Sequence, residues 1–179
     1  MDLILFNPLK IKNFQPLNRW LNEPHVKQEY GSSEEVTLTA IVQKHTSYTQ
    51  GYKISGLKKP IQAMIIYENE VPFGYIQLYN VFDFPREGYD LKSYISPEEI
   101  VGTIDLFIGN PKFFSKGYGV NLIQQFLKKI AFKKFNKIMV DPKSTNKRAI
   151  KCYERVGFKK VICIQTDAMT YSILMTMEH

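Results

Sequence analysis

The periodicity of the chain changes sharply between residues 100 and 131, and that change limits the fold more than any other feature. IVGTIDLFIG (100–109) is an apolar run of strand length, and NPKFFSKGYG (110–119) is a loop that ends on Gly117 and Gly119. Leu122, Ile123, Phe126, Leu127, Ile130 and Ala131 then recur at helical spacing, with Lys128, Lys129, Lys133 and Lys134 on the outer side. KIMVD (137–141) reads as a second short strand, so strand, glycine loop, helix and strand follow one another as in an α/β architecture. Two glycines let a backbone approach a ligand, and the helix N-terminus adds partial positive charge, which suits a diphosphate. No Lys-Ser or Lys-Thr follows Gly119, which excludes a nucleoside-triphosphate loop, and the third glycine of a dinucleotide fingerprint is missing. A G-x-G before a helix is also what a plain tight turn requires.

Local signals supply the other elements. Residues 3–6 read as a strand ended by Asn7-Pro8, and Asn13 as the N-cap of a helix that holds Pro16 in its first turn and runs through Trp20 to Asn22. Pro24 opens a helical turn that Gly31 closes; Ser32 or Ser33 with Glu34 and Glu35 starts a third helix through Val36, Ile41 and Val42. IQAMIIYE (61–68) and VPFGYIQLYNVF (71–82) form a hairpin about Asn69-Glu70, followed by a polar loop with Pro85, Gly88 and Pro97. Asn146 to Val156 is an amphipathic helix carrying Ala149, Ile150 and Tyr153 and stopped by Gly157, and residues 158–165 and 168–177 are apolar strands around Thr166-Asp167. With no repeat or linker, the expectation is one α/β domain over residues 1–179, a mixed twisted β-sheet flanked by helices.

Composition narrows the class. Cys152 and Cys163 sit in periodic apolar segments and read as buried reduced thiols. His25, His45 and His179 are too far apart in sequence to form a ligand-spaced pair, so no metal is expected. The start, MDLILFNPLK, has no basic leader region and no apolar run approaches membrane length, which points to the cytoplasm and to no membrane partner. The net charge of +7 is unevenly spread. Residues 112–160 hold 14 Lys and Arg against two acids, a net of +12, and the remainder holds 10 against 15, a net of −5. One segment can face an anion and the rest a cation, although two solvated faces of opposite sign would read the same way. Asp105 stands out independently: a carboxylate among Ile104, Leu106, Phe107 and Ile108 must be paired, hydrogen-bonded or functional.

In DPKSTNKRAIKCYERVGF (141–158), Asn146, Ala149, Tyr153, Gly157 and Phe158 occur in the order and spacing used by GNAT acetyltransferases beside their coenzyme. The chain resembles that superfamily and, more closely, its aminoglycoside 6′-N-acetyltransferases. WLNEPHVKQEYG (20–31), GYIQLYNVFD (74–83), TIDLFIG (103–109) and FFSKGYG (113–119) carry the closer likeness, which spans about residues 17–175. Two departures are visible. Phe114 occupies a position where the superfamily at large has Arg or Gln, an aromatic being usual there in the aminoglycoside branch, and the segment VICIQTDAMTYSILMTM is short.

The resemblance implies acetyl-CoA as cosubstrate, held by Leu106, Phe107 and Ile108, by the loop residues Phe114, Ser115, Lys116, Gly117, Tyr118, Gly119 and Val120, and by Asn146, Ala149 and Tyr153. Lys116 with Lys147 or Arg148 would meet its phosphates. Tyr30, Asp83, Asp105, Asp141 and Asp167 would hold a small cationic amine, with Trp20 a core residue. Asp105 would accept the proton that an alkyl ammonium must lose, a backbone N–H near Leu106 and Phe107 would meet the oxyanion, and Tyr153 would serve the departing thiolate. No Cys-His or Ser-His arrangement suggests an acyl-enzyme. Other acceptors of the same fold, namely a siderophore hydroxylamine, a polyamine or a protein N-terminus, stay open. A basic nucleic-acid module is the rival outside enzymology, but no binding motif or aromatic stacking platform supports it, so no nucleic-acid partner is expected. The oligomeric state is not readable from the sequence.

Overall fold

The computed structural model describes residues 3–29, 34–84, 88–114 and 117–179, the side chain of Ser55 excepted. In chain order the elements are β1 (Ile4–Pro8), α1 (Phe14–Leu21), α2 (Pro24–Lys27), α3 (Leu38–Thr49), β2 (Tyr52–Ser55), β3 (Leu57–Pro60), β4 (Gln62–Glu68) and β5 (Val71–Asn80). Then come β6 (Val101–Ile108), α4 (Tyr118–Lys129), β7 (Lys137–Val140), α5 (Lys147–Val156), β8 (Lys159–Gln165) and β9 (Tyr171–Glu178). Seven strands form a sheet in the order β1-β4-β5-β6-β7-β9-β8, and β2 with β3 makes a separate hairpin. Strand β6 runs parallel to β7 from Val101↔Lys137 to Thr103↔Met139, whereas β1–β4, β4–β5, β7–β9 and β8–β9 are antiparallel. The sheet is therefore mixed, as expected. The chain divides into two compact units, Met1–Leu78 with Asp105–Tyr118, and Tyr79–Ile104 with Gly119–His179.

In the first unit α1 lays Phe14, Leu17, Trp20 and Leu21 into the core and packs against α3. Asn13 caps it as expected by position but not by hydrogen bonding, since its Oδ1 accepts from the Lys10 amide at 3.0 Å. β1 runs two residues past the reading, with Asn7 and Pro8 as its last members: Pro8 pairs with Met64, which an edge strand tolerates because the missing N–H can face outward. Gly31, Ser32 and Ser33 lie outside the described residues. The third helix does not start there or at Glu34; it starts at Leu38, because the Thr37 hydroxyl accepts from the Ala40 amide at 3.2 Å and caps it. The β2–β3 hairpin was not anticipated; it turns on Gly56 at φ +69°. The β4–β5 hairpin turns as read, on Asn69 (φ 47°) and Glu70 (φ 66°), the two left-handed residues of a type I′ turn.

In the second unit Val81, Leu91, Ile95, Val101, Met139, Ile164 and Leu174 form a cluster with Phe82 and Tyr89 packed against it. Helix α4 buries Leu122, Ile123, Phe126 and Leu127 and exposes Lys128 and Lys129, and α5 buries Ile150, Tyr153 and Val156. Gly157 ends α5 at φ +121°, and the Asn146 side chain begins it by accepting from the Ala149 amide at 3.0 Å. The thiol expectation needs correcting. Cys163 is exposed, since β8 is an edge strand that buries only Ile164, and Cys152 is half-buried with its thiol pushed up chiefly by burial.

One buried group sets a pH limit. His45 is 4% exposed, donates Nδ1–H to the Ile41 carbonyl at 3.3 Å and lies edge-on to Tyr48 and Tyr75. Desolvation, then the Lys44 charge, lowers its pKa from 6.5 to about 4. A depressed folded-state value means the unfolded chain takes the proton first, so stability present above pH 6.5 is lost as pH falls towards 4. The loss should reach about 3 kcal/mol by pH 4. Urea titrations at pH 7 and pH 4 should show that increment in the wild type and a clearly smaller one in His45→Phe.

Candidate active site

The carboxylate singled out from the sequence is held by neighbours on its own face of the sheet. Asp105 is half-buried on β6, and its Oδ2 accepts from Gln77 Nε2 at 2.7 Å. Gln77 Oε1 in turn accepts from the Tyr75 hydroxyl at 2.7 Å. Residues two apart on a strand share a face, so Tyr75 and Gln77 on β5 point the same way, as do Asp105 and Phe107 on β6. The Tyr75 ring, 1% exposed, stacks on Phe107 with centroids 5.6 Å apart. Tyr48 has its pKa raised to about 12, by burial first and then by the Asp105 charge, so it stays a phenol at any physiological pH.

The β5–β6 neighbourhood is backbone against backbone. The β4–β5 register shifts between Ile66 and Tyr67, and the Phe73 carbonyl accepts from both Gly109 N (2.8 Å) and Asn110 N (3.0 Å). A Cβ on Gly74 would stand 2.6 Å from the Phe107 carbonyl oxygen, so only glycine fits there. At the end of β6, His25 Nε2–H donates to the Ile108 carbonyl at 3.0 Å and its ring meets Phe114 edge-on at 4.6 Å. Trp20 covers Gly109, where a Cβ would come within 2.1 Å of the indole, so Trp20 is the core residue expected.

The glycine loop separates into two roles. Gly117 has φ +77° with nothing within 4 Å of a would-be Cβ, an open left-handed turn of the kind a phosphate-binding backbone needs. Gly119 lies within the first turn of α4, outside the left-handed region, and a Cβ there would meet Cys152 Sγ at 3.1 Å. Of the two loop glycines, Gly117 alone has a left-handed backbone, whereas Gly119 makes room for a neighbouring helix. Tyr118 donates its hydroxyl to Glu68 Oε2 at 2.9 Å and rests against Phe73 and Phe113, which stack at 4.3 Å. Ser115 and Lys116 lie outside the described residues, as does Tyr30.

Asp105, Leu106, Phe107, Ile108, Phe114, Gly117 and Tyr118 belong to the first unit. Asp83, Gly119, Val120, Asp141, Asn146, Ala149, Tyr153 and Asp167 belong to the second. Asp141 follows β7 and accepts from the Tyr89 hydroxyl at 3.0 Å; Asp83 is half-buried in the turn after β5. Tyr153 is buried with its ring 5.3 Å from Phe158. Asp167 is fully exposed, and the Met169 and then the Thr170 amides, donating to Oδ1 at 2.9 Å each, hold its carboxyl below the usual range; it forms the β8–β9 turn. Lys147 and Arg148 are exposed at the start of α5. The sequence reading missed Tyr75, Gln77, His25 and Tyr89. Gln77 carried the signal that selected Asp105, a polar residue inside an apolar strand.

The sheet is mixed with a parallel β6–α4–β7 crossover, a positive-φ glycine precedes the crossover helix and a polar cluster lies on β5 and β6. The chain belongs to the acetyltransferase (GNAT) domain family, whose pattern matches residues 12–166. It is 30% identical over 149 residues to the aminoglycoside N(6′)-acetyltransferase type 1 of Klebsiella pneumoniae, covering 80% of this chain and 68% of that protein, and equally to that of Serratia marcescens. Among solved structures it superposes on AAC(6′)-Ib with ribostamycin and coenzyme A at TM-score 0.82 and 24% identity, covering 99% of this chain and 94% of that one. The spermidine N-acetyltransferase of Vibrio cholerae with coenzyme A and spermine follows at TM-score 0.72 and 12% identity, covering 98% and 95%. Both likenesses establish the fold.

The Gly119–Cys152 contact yields a direct test. Gly119→Val should overpack α4 against α5 and destabilise the protein by about 1–3 kcal/mol, with Cys152→Ala in the same chain restoring most of the loss. Melting curves of the single and double variants would show no recovery if the contact were unimportant.

Proposed function

We propose that the chain transfers the acetyl group of acetyl-CoA to the 6′-amine of an aminoglycoside by direct attack within a ternary complex, acting as a single domain over residues 1–179. The observation that carries this reading is the hydrogen-bonded Asp105 carboxylate in a chain 30% identical to a named aminoglycoside N(6′)-acetyltransferase. The polyamine alternative has weaker support, a neighbour with the same fold at 12% identity.

The residues fit the cosubstrate. Gly117 offers an open left-handed backbone at the head of α4, whose first-turn N–H groups and dipole favour a diphosphate. In this reading Phe114, Ser115, Lys116, Tyr118, Gly119, Val120, Asn146 and Ala149 would contact the cosubstrate, and Lys147 or Arg148 would meet its phosphates. Tyr30, Asp83 and Asp141 would meet the cationic acceptor, with Asp167 mainly a turn former. An alkyl ammonium with a pKa near 10.4 is mostly protonated at pH 7, so it must lose a proton before its lone pair can attack the thioester carbon. Asp105 takes that proton. A backbone N–H near Leu106 and Phe107 meets the developing oxyanion, the C–S bond breaks, and Tyr153 gives a proton or hydrogen bond to the thiolate. Such a protein would act in the cytoplasm and confer antibiotic resistance. Among the described residues no helix is long and apolar enough to cross a membrane.

Thiol release from acetyl-CoA against a panel of amines tests the acceptor. Aminoglycosides with a 6′-amine should turn over, and analogues with a 6′-hydroxyl should not; turnover of polyamines alone would sink the aminoglycoside reading and leave the family intact. In the same assay Asp105→Asn should lower kcat by ~10²–10⁴-fold, the range of a general base, with partial rescue at higher pH as more amine becomes neutral unaided. Normal kcat across pH would exclude that role.

A further inference from the structure

The carboxylate proposed as base does not choose its own orientation. Asp105 Oδ2 accepts from Gln77 Nε2 at 2.7 Å, and Gln77 is an amide that can turn either end towards it. Its other end is committed, because Oε1 accepts from the Tyr75 hydroxyl at 2.7 Å. Were the amide reversed, Oε1 would face a carboxylate oxygen and the pair would repel. The carboxylate itself therefore selects this amide orientation, and the Tyr75 hydroxyl, donating to the amide oxygen, holds it in place from a fixed ring: 1% exposed, stacked on Phe107 at 5.6 Å and edge-on to His45 at 6.1 Å. His45 is neutral there, its pKa lowered to about 4 chiefly by burial. Both charged and polar neighbours on α3 fit this: Lys44 is exposed, and Tyr48 stays a phenol.

Resting on the reading of Asp105 as the proton acceptor, we propose that Tyr75 and Gln77 are positioning residues that hold the Asp105 carboxylate in its working orientation through a Tyr75→Gln77→Asp105 hydrogen-bond relay. Neither touches the reacting atoms in this role. The relay begins in the apolar core and ends at the candidate site, so changes at the buried end reach the chemistry without altering coenzyme contacts.

The test has a readout in the free enzyme and a second in turnover. The Gln77 side-chain amide resonances in a ¹⁵N-labelled protein should shift in Asp105→Asn and also in Tyr75→Phe, a variant that keeps the packed ring and loses only the hydroxyl. In steady state Tyr75→Phe should lower kcat about two- to tenfold and Gln77→Leu about ten- to a hundredfold, the effects of losing one neutral and one charged hydrogen bond, with KM for acetyl-CoA unchanged. In an Asp105→Asn background neither change should lower kcat further, because they act through the same group. Unmoved Gln77 resonances in Tyr75→Phe, or losses that add fully to that of Asp105→Asn, would overturn the relay. A normal kcat for Gln77→Leu beside an impaired Asp105→Asn would do so too while sparing the acceptor-site reading. Normal kcat in Asp105→Asn would sink the reading itself, and the resonance shifts would then report the relay alone.

Discussion

A carboxylate placed in an apolar strand has to be compensated, and much of the first unit is arranged around that requirement. Leaving such a group without partners costs several kcal/mol, more than most single contacts return. The compensation comes from the adjacent strand through Gln77, and the partner of the partner is a buried tyrosine. For the two strands to bring these side chains to one face they must lie close, and Gly74 permits this, since any side chain there would strike the Phe107 carbonyl. The irregular register beside Phe73 and the double acceptance by its carbonyl anchor the far end of β6. Trp20 and His25 close over that end from α1 and α2.

The basic segment does its work differently. Lys128 and Lys129 are solvated, as are Lys147 and Arg148, and none needs a fixed partner to favour an anion. What gives direction is backbone: a left-handed Gly117 and the first turn of α4, ahead of a helix whose apolar stripe is fully buried. In the proposed function such charge would draw the cosubstrate's phosphates and the backbone would orient them.

Most of the regular structure was legible because the signals were dense and agreed with one another. Strand β6, helices α4 and α5 and the β4–β5 hairpin each combine an unambiguous period with a cap or turn residue that has a physical reason to be there. Where signals competed, the reading failed. The Ser-Ser-Glu-Glu run offered one helix start and Thr37 another, and the hydroxyl three residues before the Ala40 amide prevailed. The β2–β3 hairpin has little alternation to detect, and the apolar run around Cys163 promised burial that an edge strand with a single neighbour cannot supply.

The sequence by itself determined the class of fold, the family and the one carboxylate of β6 that needs a partner, because periodicity, a diagnostic motif and an isolated charge in an apolar run are all local properties. Only the tertiary structure decided what surrounds Asp105 and what Gly119 is for. Gln77 lies 28 residues from Asp105 and His45 30 from Tyr75, while Cys152 is 33 from Gly119. No local pattern encodes such contacts; they exist because strands and helices distant in the chain must share one packed interior, where a side chain's neighbours are chosen by register and volume rather than by order in the sequence.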